Sequence, residues 1–95
     1  MPGYNRAEIS AELKVVTSRE AEKSPQEQIE AAKRAASDSG LAHEAGPDTT
    51  VLSGGRLEVL EATRKVIEAS LDAGARVVQV KVEAEGDAAR FGGRR

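Results

Sequence analysis

The residues best suited to bind a small molecule lie in the segment HEAGPDTTVLSGG, residues 43–55. Thr49 and Thr50 carry adjacent hydroxyls, and each hydroxyl both donates and accepts a hydrogen bond. Glu44 adds a carboxylate in the same segment, and Glu12 adds another from near the start of the chain. Together these groups favour a ligand that carries amino groups or a positive charge. Thr49, Thr50, Glu44 and Glu12 are therefore candidates for binding such a ligand, and no residue is predicted to be catalytic.

Other chemistry in this segment is less favoured. Ser53, Gly54 and Gly55 precede a predicted helix, where an anion is one alternative occupant. The segment lacks the Lys-Ser or Lys-Thr pair of a phosphate-binding loop, so a simple strand-to-helix turn is preferred. His43 is predicted to be structural, and catalysis through His43 and a glutamate stays open as an alternative. The paired threonines also suit a plain strand, where β-branched residues are common.

Composition excludes several classes of function. The chain has no cysteine and one histidine, which excludes disulfides and cysteine-based zinc sites, and no metal or cofactor is predicted. Its 14 basic and 16 acidic residues are dispersed and only 2% of residues are aromatic, unlike the basic, aromatic surface of a nucleic-acid-binding protein. No apolar run reaches membrane-spanning length, and the first residues, MPGYNRAE, lack the apolar core of a signal peptide. We therefore expect a cytoplasmic protein without membrane or nucleic-acid partners.

The first half of the chain predicts a strand followed by a helix. Residues 8–15, EISAELKV, alternate between polar and apolar side chains, as in a strand with one buried face. Ser24, Pro25 and Glu27 then have the spacing of a helix N-terminus, with a capping serine, an early proline and a capping-box glutamate. Gly40 is expected to end this helix. The predicted apolar stripe comprises Ile29, Ala32, Ala35 and Ala36.

The second half of the chain predicts two strands, a helix and a final strand. LAHEA, residues 41–45, is the least distinct strand, and a turn at residues 46–48 connects it to TTVLS, residues 49–53. A helix that ends at Gly74 follows. The last strand is ARVVQVKVEAE, residues 75–85, with alternate valines. The apolar residues at helical spacing are Leu57, Leu60, Val66, Ile67 and Leu71.

The order of these elements predicts an α+β, ferredoxin-like βαββαβ fold. Right-handed crossovers in this fold place both helices on one face of a four-stranded antiparallel sheet. A single domain is expected over residues 1–95, with an ordered core at about residues 7–86 and a basic flexible tail at residues 87–95. Because so small a core without large aromatic side chains gains from association with further copies, a homo-oligomer is expected.

The sheet face that carries no helices is predicted to be polar. If Ile9, Leu13, Val78 and Val80 face the helices, the polar residues between them face away. This open face is a solvated surface with cross-strand ion pairs, a contact between subunits, or the floor of a ligand site. The alternation itself does not distinguish these interpretations. The outward residues are Ser10, Glu12, Lys14, Gln79, Lys81 and Glu83.

The segment HEAGPDTTVLSGG, followed by RLEVLEATRKVIEAS and LDAGARVVQVKVE, resembles the small thiamine-binding proteins of the YkoF-like family. The likeness is strongest from His43 to Glu83 and depends on a Gly-Pro turn, a Thr-Val step and a glycine before the second helix. The resemblance implies a cytoplasmic homo-oligomer, a dimer or a tetramer, that binds thiamine or its hydroxymethylpyrimidine part without converting it. By position, Thr50 would be the family's threonine, whose hydroxyl contacts the pyrimidine, and Thr49 would be its neighbour.

Three functions are therefore considered, in this order. The first is a non-catalytic carrier or sensor that binds thiamine or its hydroxymethylpyrimidine part near Thr49, Thr50, Glu44 and Glu12. The second is a homo-oligomeric regulatory or interaction module whose open sheet face pairs with another copy and that binds a different small molecule or none. The third is an enzyme that acts on a small metabolite through a glutamate and His43.

Overall fold

The computed structural model describes residues 8–43 and 46–84. The strands in this part of the chain form one sheet in the order β2-β3-β1-β4, and all neighbours are antiparallel. The predicted α+β ferredoxin-like fold is confirmed. Glu44 and the predicted tail at residues 87–95 lie outside the described residues. The elements are β1 (Ile9–Val16), α1 (Pro25–Asp38), β2 (Ala42–His43), β3 (Thr49–Gly54), α2 (Arg56–Asp72) and β4 (Val77–Ala84).

Strand β1 pairs with β3 on one side and β4 on the other, and it supplies much of the core. Its alternate residues Ile9, Ala11, Leu13 and Val15 are buried, whereas Glu12 between them is exposed. This pattern arises because successive side chains of a strand point to opposite faces of the sheet. The predicted division into a helix-covered face and an open face is therefore confirmed for β1.

Helix α1 begins with the predicted capping box. The Ser24 hydroxyl accepts a hydrogen bond from the Glu27 backbone N–H at 3.2 Å, and the Glu27 carboxylate accepts one from the Ser24 N–H at 2.9 Å. These two bonds satisfy donors that the first turn of a helix otherwise leaves unpaired. Ala32 and Ala36 are buried against the sheet, as predicted, and their small side chains allow close approach of the helix.

Helix α1 also buries an amide, Gln28, that the apolar stripe did not include. The Gln28 carbonyl oxygen accepts a hydrogen bond from the Ser18 N–H at 2.8 Å. Its NH₂ group donates to the carbonyl oxygens of Ser18 at 2.8 Å and Lys23 at 2.9 Å. Burying a polar group without partners is costly, and these bonds offset that cost. Gln28 thereby ties the loop after β1 to the first turns of α1.

The predicted apolar stripe of helix α2 is right at Val66, which is buried, and at Ile67, which is partly buried against the core. The predicted stripe is wrong at Leu57, Leu60 and Leu71, which are 77%, 43% and 50% exposed. The buried residues recur every three or four positions and therefore share one side of the helix. At about 100° per residue, Leu60 and Leu71 lie beside this buried face, whereas Leu57 lies nearly opposite it. The buried face comprises Val59, Ala62, Thr63, Val66 and Ser70.

Strand β4 forms one edge of the sheet, and its valines are less buried than predicted. Val80 pairs with Leu13 and Val82 with Ala11, so both valines face the helix side, as predicted. They are nevertheless 39% and 47% exposed. An edge strand has a neighbour on one side only, and α2 covers this edge incompletely.

Gly40 and Gly74 end the helices, as predicted. Their φ angles are 77° and 106°, in the region that glycine adopts more readily than other residues. A side chain at Gly74 would also overlap the Cβ atom of Ala21, in the loop between β1 and α1. Gly74 is therefore required both by its backbone conformation and by the close approach of this loop.

Replacing Thr63 by valine is expected to stabilise the protein. Thr63 is buried, and its hydroxyl has no hydrogen-bond partner among the described residues. Valine has nearly the same shape and lacks the unsatisfied hydroxyl, so Thr63→Val should raise the free energy of unfolding by about 1 kcal/mol. Urea denaturation followed by circular dichroism measures this change.

Ser70→Ala is the matched control for Thr63→Val. Ser70 is also buried on α2, but its hydroxyl donates to the Val66 carbonyl oxygen at 2.7 Å. Removal of this satisfied hydroxyl should give no stabilisation. A loss of stability in Thr63→Val, or an equal gain in both variants, would contradict the assignment.

Candidate functional site

The register between β1 and β3 places the two neighbouring threonines on opposite faces of the sheet. Thr49 pairs with Lys14 and Thr50 pairs with Leu13. Because paired side chains share a face, Thr50 lies on the helix side with Leu13 and is 5% exposed. Thr49 lies on the open face, on the same side as Glu12. The structure therefore brings Thr49 and Glu12 to one face and separates Thr50 from both.

Thr50 lines a cleft between α1 and the β2–β3 hairpin. The volume of the cleft is about 450 Å³, which is within the range for sites that hold small organic molecules. Alanine and proline side chains supply apolar surface, and Thr50 and Lys33 supply polar groups. The lining residues are Lys33, Ala36, Ala42, His43, Gly46, Pro47 and Thr50.

Lys33 of α1 is partly buried and holds the turn beside this cleft. Its ammonium group donates to the carbonyl oxygen of Gly46 at 3.0 Å and to that of Thr49 at 2.8 Å. The same turn has a bond from the Thr49 N–H to the Gly46 carbonyl at 3.4 Å. Lys33 thus fixes Gly46 and Thr49, at the two ends of the turn, relative to α1. Thr50 directly follows Thr49 in the sequence.

The hydroxyls of Thr50 and Thr49 differ in their hydrogen bonding. Within residues 8–43 and 46–84, no hydrogen bond is made by this hydroxyl. The adjacent Thr49 differs, because its hydroxyl donates to the Asp48 carboxylate at 3.2 Å. Thr50 as a whole is 5% exposed, but its hydroxyl oxygen is not among the fully buried atoms without a partner, so solvent in the cleft reaches it and a ligand there would replace that water.

His43, a residue predicted to be structural, lies at the cleft. His43 is exposed, pairs with Val51 in the β2–β3 ladder and is among the lining residues. Glu44 follows His43 directly in the sequence and lies outside the described residues. The structure therefore leaves the predicted role of Glu44 as a prediction.

Glu12 lies among positive charges on the open face. It pairs with Lys81 of β4, and Lys14, two positions along β1, shares its face. The adjoining depression has a volume of about 230 Å³ and is lined by Glu12, Lys14, Gln79, Val80 and Lys81. Lys81 also forms an ion pair with Glu83 on this face at 3.6 Å, so positive and negative charges are mixed here and the surface has no preference for a cationic ligand.

A groove of about 520 Å³ lies between the C-terminal end of α1 and the first turns of α2. Leu41, Leu57 and Ala62 are among its apolar lining residues, and Glu61 is among its acidic ones. The Glu61 carboxylate accepts a hydrogen bond from Arg64 at 2.6 Å, and this bond lowers the pKa of Glu61. Both side chains are more than half exposed, so solvent screens this pair and the groove has no buried polar anchor.

Lys33 is the site residue that sequence analysis does not identify. A lysine on a helix is usually solvated, and its partners here are backbone carbonyls 13 and 16 residues further along the chain. Every residue has a backbone carbonyl, so the residue types at positions 46 and 49 do not indicate that they accept hydrogen bonds from Lys33. Only the position of the hairpin over α1 makes the contact visible.

No group of metal-ligating side chains occurs within the described ranges. In the same part of the chain, neither helix is long and apolar enough to cross a membrane.

Comparisons with known proteins give two similarities. The model of a protein family described as "Thiamine-binding protein" matches residues 11–90. A solved structure described as "Structure of domain of unknown function DUF77 from Bacillus cereus" is similar to this chain with a TM-score of 0.62 and 24% sequence identity. The similarity covers 84% of this chain and 77% of that one, and at this identity it shows the fold alone. No curated protein matches this chain.

Proposed function

Because this chain belongs to the thiamine-binding protein family, we propose that it binds thiamine or the hydroxymethylpyrimidine part of thiamine and does not convert it. The observation that carries the proposal is the cleft at Thr50, a largely buried residue whose hydroxyl has no hydrogen-bond partner among the described residues. We further propose that the protein acts in the cytoplasm as a carrier or sensor. Both roles need reversible binding and no catalytic group.

The cleft suits the pyrimidine half of thiamine. An aminopyrimidine is flat and presents ring nitrogens that accept hydrogen bonds and an amino group that donates them. Thr50 offers a hydroxyl that does either, and Lys33 offers an N–H donor. Ala36, Ala42 and Pro47 supply apolar surface for the ring. Glu44 remains a predicted partner for the amino group of the ligand.

Thr50→Val is expected to weaken binding of both thiamine and hydroxymethylpyrimidine. Loss of one neutral hydrogen bond should reduce affinity by roughly threefold to tenfold. Isothermal titration of the full chain with each compound measures the change. Wild-type protein should show saturable binding at one site per chain.

Thr49→Val is the matched control, because it makes the same chemical change one residue away on the open face. Its effect on affinity should be less than about twofold, since its hydroxyl does not reach the cleft. Glu12→Gln tests the open face in the same way. The proposal would be contradicted if wild-type protein bound neither compound. It would also be contradicted if Thr49→Val and Glu12→Gln reduced the affinity and Thr50→Val did not.

A second candidate function is that of a homo-oligomeric regulatory or interaction module. The observation that favours it is the exposure of valines on β4, an eight-residue strand at the edge of the described sheet. Val77, Val80 and Val82 of this strand are 42%, 39% and 47% exposed. An unprotected edge with apolar side chains favours pairing with another strand. Self-association through β4 is compatible with ligand binding at Thr50, which lies on β3.

Val82→Lys is expected to weaken self-association, because it places a charge beside the free edge of β4. Sedimentation velocity over a range of protein concentrations should show wild-type protein as a dimer or tetramer and the variant as a smaller species. Lys81→Gln, a change at a neighbouring β4 residue that points to the other face, serves as the control. A wild-type chain that stays monomeric at all concentrations would refute the oligomer.

A further inference from the structure

The Lys33 ammonium group makes fewer hydrogen bonds to the described residues than it has N–H donors. A lysine ammonium carries three N–H donors and no acceptor. Two of its hydrogen bonds go to the Gly46 and Thr49 carbonyl oxygens. Among the described residues, no carboxylate forms an ion pair with Lys33. One donor and a full positive charge therefore remain for whatever enters the cleft.

The charge of Lys33 is partly desolvated and held in place. Removing an ammonium from water is unfavourable unless hydrogen bonds or an opposite charge compensate it. The two carbonyls compensate part of this cost and also restrict the movement of the side chain. A ligand atom that accepts a hydrogen bond, or that is negatively charged, would compensate the remainder. A positively charged group at the same place would instead be repelled.

We propose that Lys33 determines which ligand groups the Thr50 cleft accepts, by holding the β2–β3 turn and by giving its third N–H to a neutral or anionic acceptor. The cleft thus excludes cationic groups. This inference rests on the proposed function only for the choice of thiamine and hydroxymethylpyrimidine as titrants. It assigns the neutral pyrimidine to the cleft and the cationic thiazolium ring to the outside.

The first test compares the two compounds in full-length Lys33 variants by isothermal titration. Lys33→Met removes the charge and the donors while keeping a long side chain, and Lys33→Arg keeps the charge. In Lys33→Met, hydroxymethylpyrimidine should lose affinity more than thiamine, because thiamine also loses a repulsion. The ratio of the two dissociation constants should shift towards thiamine by about threefold to tenfold. Lys33→Arg should leave this ratio within about twofold of the wild-type value.

Arg34→Met is the matched control for this test. Arg34 is the exposed neighbour of Lys33 on α1, and the substitution makes the same change in net charge. It should leave both affinities and their ratio unchanged. A structural role of Lys33 alone would weaken both compounds equally, so an unchanged ratio in Lys33→Met would overturn the selectivity assignment.

The second test does not depend on thiamine. Benzoate and benzamidine are fragments of similar shape and opposite charge, and the amide resonances of Gly46 and Thr50 report their binding in ¹⁵N-labelled full-length protein. Benzoate should shift these resonances at lower concentration than benzamidine, and Lys33→Met should abolish the difference. Equal responses to both fragments, or no response to either, would overturn the proposal. Failure to bind thiamine with a retained preference for benzoate would reject only the proposed function.

Discussion

The pairing register between β1 and β3 determines on which side of the sheet each candidate site residue lies. Leu13 is buried beneath the helices, so its partner Thr50 must lie there too. A shift of one residue would move Thr50 to the open face and Thr49 into the cleft. Leu52 of β3 opposes such a shift, because this fully buried side chain would move to the open face. The position of the site is therefore a consequence of the core.

The fold was predictable because its strongest signals are local. The capping box at Ser24 and Glu27 and the alternation along β1 depend on residues close together in the sequence. The buried face of α2 was not predictable in the same way. The predicted stripe included Leu57 and Leu60 because leucine is strongly apolar, but both are exposed. The residues that pack on the sheet are smaller, such as Val59 and Ala62. Which side of a weakly amphipathic helix is buried depends on the surface it meets.

The candidate site was only partly predictable. The family resemblance implied Thr50 and its neighbour Thr49, whereas in the structure the two residues face opposite sides of the sheet and Glu12 shares the face of Thr49. Lys33 reaches the site through backbone carbonyls distant in sequence. Such contacts depend on how α1 lies over the hairpin, and this is set by the whole fold. The sequence therefore indicated which polar groups a site could use. Which of these groups lie together in one cleft depends on the tertiary structure.

The most direct measurement of the central claim is an amide chemical-shift titration of the full-length protein with hydroxymethylpyrimidine. The largest shifts should occur at Ala36, Ala42, Gly46 and Thr50, which line one cleft. The amides that line the α1–α2 groove, such as Glu58 and Glu61, should change little. Shifts confined to that groove or to the open face around Gln79 and Lys81, or no saturable shifts, would contradict the account.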